Sequence, residues 1–262
     1  MAENAKPRLA IFKLASCDGC QLQLLNLEDE LLDIADQVEI CYFPEATSQD
    51  LDGPYDVALV EGSVTTETDL QRLREIRRNS QTLITLGACA NAGGIQALRN
   101  TADVEEYTRA IYANPSYIHT LAQSTPVAAH VTVDFAISGC PISRRQLLDV
   151  LTALLIGRAP ELPRYSVCVE CKRSGTVCVL VSAGVACLGP ITQAGCGALC
   201  PSFHRGCFGC YGPMESANPD SLCQNLMARG VSRAETLRLL NGFAGGSEEF
   251  RSAAEKLEKA PL

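Results

Sequence analysis

Fourteen cysteines stand among 262 residues, and eight of them, Cys168, Cys171, Cys178, Cys187, Cys196, Cys200, Cys207 and Cys210, fall within a stretch of 43 residues. A segment so rich in thiols, and punctuated by glycine and proline, leaves little room for a core of its own, so it is expected to fold around metal. The run Met1 to Arg8 has neither an apolar signal-type region nor a twin arginine, and no stretch is apolar for long enough to span a membrane. The chain is therefore expected in the cytoplasm, where thiols are kept reduced and spaced cysteines serve as ligands rather than disulfides. Only three histidines are present, His119, His130 and His204, none at ligand spacing from another, which disfavours catalytic zinc and favours all-thiolate sites. A formal charge of -8 gives no basic stripe for nucleic acid and no polybasic patch for a membrane surface.

Up to about Leu155, short apolar runs alternate with helical patterns, the signature of a parallel sheet covered on both faces. Strands are predicted over Leu9 to Leu14, Val38 to Phe43, Val57 to Glu61, Leu83 to Leu86 and Val131 to Ile137. Helices are predicted over Gln21 to Ile34, Thr66 to Arg78, around Val104 to Tyr112, and over Ser143 to Ile156 with Ser143 as its cap. This order implies a flavodoxin-like doubly wound α/β domain over residues 1–157. Gly157 to Pro163 reads as a linker. Residues 158–262 then form a small iron-sulfur domain with little regular structure, ending from Pro219 in a charged helical tail.

Cys17 and Cys20 follow the first predicted strand, Cys89 the fourth and Cys140 the fifth. The carboxyl ends of strands in an open α/β sheet line one crevice, so these four can converge on a 4Fe-4S cluster or a zinc ion. Gly19, Gly87, Gly93, Gly94 and Gly139 would let backbone N–H groups approach the sulfurs of a cluster. Cys41, inside a strand, reads as core.

The eight later cysteines divide into two further quartets, either in chain order or interleaved, and spacing alone leaves that open. Zinc ribbons also use paired Cys-x2-Cys motifs. Twelve ligands in three sets make better sense as a redox chain than as a scaffold. Cys223 has no partner left and reads as a packing residue of the tail.

Cys17-Asp-Gly-Cys20, Gly87-Ala-Cys89-Ala-Asn-Ala-Gly-Gly94, Gly139-Cys140-Pro141 and Cys187-Leu-Gly-Pro-Ile-Thr192 together resemble the small subunit of nickel-iron hydrogenases and its relative in respiratory complex I. The resemblance runs from Leu9 to Pro213. It implies that Cys17, Cys20, Cys89 and Cys140 hold a proximal 4Fe-4S cluster, that Cys168, Cys171, Cys178 and Cys187 hold a distal one, and that Cys196, Cys200, Cys207 and Cys210 hold a medial one. Glu61 matches an acidic residue of the family near the proximal cluster; on its own it reads equally as an exposed strand-end glutamate. Periplasmic members have histidine in place of Cys168 and proline in place of Cys200, the latter leaving them a medial 3Fe-4S cluster, so three all-cysteine cubanes are implied here.

Cys168-Val-Glu-Cys171-Lys172 and Gly195-Cys196-Gly-Ala-Leu-Cys200-Pro201 look most like the delta subunit of cytoplasmic NAD(P)-linked sulfhydrogenases, with the small subunits of F420-type and non-F420 hydrogenases close behind. Complex-I-type subunits normally carry only the first cluster, and the Cys168 to Cys210 segment counts against that alternative. The cysteine pairs that hold nickel and iron in the family's large subunit are missing, so this chain is expected to bear no complete active site and no general acid or base. Its implied partners are that large subunit and a flavin/iron-sulfur subunit that reduces a nicotinamide.

Overall fold

The structure, a computed structural model, describes residues 6–260, so the start of the Met1 to Arg8 run lies outside the described residues. Strands β1 (Arg8–Lys13), β2 (Glu39–Tyr42), β3 (Tyr55–Glu61), β4 (Ser80–Leu86) and β5 (Phe135–Ile137) form one sheet in the order β2-β1-β3-β4-β5, with every neighbouring pair parallel. This is the flavodoxin-like α/β fold the alternation implies. The strands read as continuous apolar runs because both faces are covered. Alternate side chains go to opposite sides. Ile11, Leu59, Ile84 and Ile137 pack in one core with residues of α1 (Gly19–Leu25), α2 (Asp29–Gln37) and α6 (Arg144–Leu155). Phe12, Ala58, Val60 and Leu83 pack in the other with Leu73 and Ile76 of α3 (Glu67–Arg78) and Ala90 of α4 (Gly87–Ala92).

Helix boundaries show where local chemistry refines the pattern. The α3 helix starts at a reciprocal cap, in which the Asp69 amide donates to Thr66 Oγ1 at 3.0 Å and the Thr66 amide to Asp69 Oδ2 at 2.9 Å. Ser143 takes the cap position of α6, but its side chain makes no cap bond. The single helix expected over Gln21 to Ile34 is two, α1 and α2, broken where Glu28 takes a φ of 54°. Arg144 of α6 donates to the Asn26 carbonyl at 2.8 Å, occupying an acceptor that a continuous helix would use. The last strand begins at Phe135 rather than Val131, since the Asp134 carboxylate takes the Leu83 amide at 2.8 Å in place of a ladder carbonyl. Helix α5 (Val104–Ile111) stands where expected and buries none of its residues.

Beyond Gly157 the cysteine-bearing segment contains only short helices, α7 (Val167–Arg173), α8 (Val179–Ser182) and α9 (Leu199–Ser202). It nevertheless has an apolar core, which corrects the expectation that metal alone would organise it. Val167, Val179, Leu180, Leu188 and Ile191 pack with Leu222 and Leu226 of α10 (Pro219–Ala228), Leu240 of α11 (Arg233–Leu240), and Phe250 and Leu257 of α12 (Glu248–Lys259). The expected charged tail is thus the other wall of that core, and Ala92 of α4 joins it from the sheet domain. Cys223 is buried in α10 and Cys41 is buried in β2, both as expected.

Phe250 is 1% exposed and lies against Gly209, where an added Cβ would meet the ring at 3.2 Å. Phe250→Ala should cost about 3–5 kcal/mol in chemical denaturation. It should also open tryptic sites at Lys172, Arg173 or Arg205 before any in the sheet domain. A loss below about 1 kcal/mol would contradict the shared core.

Candidate metal centres

Register in the sheet sets the first site. Lys13 pairs with Glu61, Glu61 with Leu86, and Leu86 with Ile137, so one row crosses four strands and their carboxyl ends lie level. Cys17 comes four residues after Lys13, Cys89 three after Leu86 and Cys140 three after Ile137 in the loops and short helix leaving that edge. Cys20 enters with the first turn of α1. Their thiols feel one another. Burial raises Cys140 to about 11, with Cys89, Cys17 and Glu61 adding to it. Burial likewise raises Cys20, helped by Glu61, Cys89 and Cys140, and raises Cys89, helped by Cys17 and Glu61. Only a residue without a side chain fits beside them at Gly87, whose φ is 82° and whose added Cβ would collide with Cys20 Sγ.

Glu61 is 1% exposed, so the exposed reading of that strand-end residue is wrong. Its carboxylate accepts from the Cys20 amide at 3.0 Å, the Gln21 amide at 3.3 Å and Gln21 Nε2 at 2.9 Å. A buried carboxylate satisfied in this way pins α1, and with it Cys20, to the end of β3. Gln96, which no sequence pattern singled out, bonds Ala15 O at 2.7 Å and Cys89 Sγ at 3.5 Å through Nε2 and so spans the same mouth.

The remaining eight cysteines fall in two stretches of chain that adjoin in space, Cys168 to Cys187 and Cys196 to Cys210. Cys168 and Cys171 lie on α7, Cys178 at the start of α8, and Cys187 in the loop after it. Burial raises Cys171 to about 11, with Cys168, Cys187, Cys178 and Cys196 adding to it. The Cys187 sulfur also accepts from the Gly189 amide at 3.4 Å and the Cys207 amide at 3.2 Å. In the other stretch, burial raises Cys210 to about 12, with Cys196, Cys140 and Cys200 adding to it. Burial raises Cys207 as well, beside Cys187 and Cys210.

Cys210 lies near Cys140 of the sheet-edge group, and the Cys207 amide bonds the Cys187 sulfur, so the Cys196 to Cys210 stretch adjoins both the sheet edge and the Cys168 to Cys187 stretch. Tyr211 is buried near Cys196, Cys210 and Cys20. Cys178 is exposed, with exposed Val177 and Val181 beside it in the chain, and Thr176 Oγ1 lies 3.5 Å from Ser202 Oγ, next to exposed Phe203 and near exposed Leu199. Among the described residues, no three His, Cys, Asp or Glu side chains close tightly enough round a point to hold a single ion.

The sequence profile described as "NADH ubiquinone oxidoreductase, 20 Kd subunit" matches residues 17–154 of this chain. Sulfhydrogenase 2 subunit delta of Pyrococcus furiosus is 43% identical over 237 residues, covering 90% of this chain and 99% of that protein. A subunit of the vhu F420-non-reducing hydrogenase of Methanococcus voltae is 36% identical, over 79% of this chain and 82% of its own length. Among solved structures, a chain of an NAD+-reducing [NiFe]-hydrogenase in the H2-reduced state is similar with a TM-score of 0.56 and 31% identity, over 60% of this chain and 96% of that one.

Glu61→Ala leaves three buried donors without their acceptor, and is expected to lower the unfolding free energy by about 2–5 kcal/mol. Hydrogen exchange should quicken selectively at the Cys20 and Gln21 amides. Unchanged protection there would show that Glu61 does not hold α1 in place.

Proposed function

Because this chain belongs to the nickel-iron hydrogenase small subunits, within the family of the NADH ubiquinone oxidoreductase 20 Kd subunit, we propose that it is an electron relay holding three 4Fe-4S clusters in series. The observation that carries this reading is a run of neighbouring thiols that starts at the sheet edge with Cys140, passes Cys210 and reaches Cys187, whose sulfur takes the Cys207 amide. Cys17, Cys20, Cys89 and Cys140 would hold the proximal cluster, Cys196, Cys200, Cys207 and Cys210 the medial one, and Cys168, Cys171, Cys178 and Cys187 the distal one. The donor set fits. Four thiols per group suit a cubane, which needs ligands ranged round a body of irons and sulfides rather than drawn to one point, and the Gly87 cradle leaves room beside Cys20. When bound, such clusters carry single electrons between the nickel-iron centre of a large subunit and an acceptor. The chain itself keeps them apart, dry, and in fixed surroundings of amide donors and charge.

Electrons leave, in this reading, at the Cys178 end. Between Arg164 and Glu215 the sequence has one carboxylate, Glu170, against Lys172, Arg173 and Arg205, all three exposed. Exposed basic residues in the same segment as exposed Val177, Val181, Leu199 and Phe203, in a chain of net charge -8, suit an acidic flavin/iron-sulfur subunit. Two relatives are named for nicotinamide reduction, the [NiFe]-hydrogenase above and the NAD-reducing hydrogenase HoxS subunit delta of Cupriavidus necator, and they support NAD(P) as final acceptor. The relatives named F420-non-reducing hydrogenase support the alternative of another acceptor at the same surface. No helix among the described residues is long and apolar enough to cross a membrane, and we place the complex in the cytoplasm.

Anaerobically prepared protein is expected to contain about twelve irons and about twelve acid-labile sulfides per chain. A full complement of zinc without sulfide would defeat the reading. Cys200 offers a sharper test, since it enters the backbone network of α9 through its carbonyl, which accepts from Phe203 and Arg205 and which proline keeps. Cys200→Pro should leave three medial ligands and yield a 3Fe-4S signal in EPR of the oxidised protein. Nicotinamide reduction by hydrogen should slow while hydrogen activation at the large subunit persists. An unchanged spectrum with normal turnover would remove Cys200 from the ligand set.

A further inference from the structure

Glu170 lies in Cys168-Val-Glu-Cys171, the motif of one cysteine group, yet its carboxylate serves another. It accepts from the Gly195 amide at 3.0 Å and the Ala198 amide at 3.1 Å, and Oε2 is 3.9 Å from Cys196 Sγ. The loop it grips is one that would not hold its shape unaided. Gly195 has φ 140°, Gly197 φ 68° and Ala198 φ 55°, the last unusual for a residue with a side chain, and an added Cβ at Gly195 would strike the Gln146 amide. Both of its oxygens accept amide protons from that loop, one from Gly195 and one from Ala198.

We infer that Glu170 is the positioning residue of the medial site, fixing the Gly195 to Ala198 loop and setting its charge beside Cys196. The inference rests on the assignment of the medial quartet above. A fixed negative charge beside a cluster ligand disfavours adding an electron, so Glu170 lowers the medial potential.

The test is a potentiometric EPR titration of the anaerobic holo-complex, with iron and sulfide counted in every sample. Glu170→Gln keeps the size of the side chain but removes its charge, so the medial cluster should be reduced at a more positive potential while the proximal and distal midpoints stay where they were. Exchange at the Gly195 and Ala198 amides should quicken, because the carboxamide offers one acceptor where two were used. Glu170→Asp retains the charge and should leave the medial midpoint near its native value. If Glu170→Gln fails to retain the medial cluster, Glu170→Asp still decides, since it should keep the cluster with its midpoint near the native value. The inference is overturned if the medial midpoint is unchanged in Glu170→Gln or if Glu170→Asp shifts it as much. A native protein without iron at Cys196, Cys200, Cys207 and Cys210 would instead defeat the cluster assignment itself.

Discussion

Parallel pairing that keeps Lys13, Glu61, Leu86 and Ile137 in one row governs what the rest of the chain can do. Side chains far apart in sequence meet only because four strands end level, and each loop needs just three or four residues to bring a thiol to the edge. A register slip in any of these ladders would turn its buried faces outward as well as misplace a cysteine. Packing in the two apolar layers therefore specifies the site from beneath.

Much of that was legible in advance, and for a physical reason. Buried parallel strands are apolar throughout, so Leu9 to Phe12, Ala58 to Val60 and Leu83 to Leu86 stand out from helices whose apolar residues recur every three or four positions. Cysteines just past such runs point to the crevice at the carboxyl edge. What escaped the sequence depends on partners remote along the chain. The helix break at Glu28 accompanies an arginine 116 residues on, Arg144. Glu61 looks like any strand-end acid until the amides of Cys20 and Gln21 come round to it. The cysteine segment looks short of apolar residues because the other half of its core is carried by α10, α11 and α12.

The two acids Glu61 and Glu170 use one device in two places. Each takes backbone amides from a segment that bears a cysteine, Glu61 from Cys20 and Gln21, Glu170 from Gly195 and Ala198. A backbone amide survives every substitution but proline, and a carboxylate answers two at once, so the first turn of α1 and the Gly195 to Ala198 loop each gain a fixed position. The same groups bring negative charge next to thiols that burial already makes hard to ionise. Rigidity and electrostatics are consequently set together, and a sequence change at either acid alters both.

Ala92 has two memberships: it lies on α4, the helix that carries Cys89, and it is part of the apolar core formed with α10, α11 and α12. Close-packed interiors do not stretch, so that wedge leaves no hinge between the sheet-edge thiols and the later ones. A carrier mounted on a mobile domain works like a shuttle, its throughput timed by how often the domain swings. As the relay proposed above, this chain would be a fixed resistor instead, with spacings cast when the polypeptide folds and the same at every turnover. Control over current would then be exercised at its two ends.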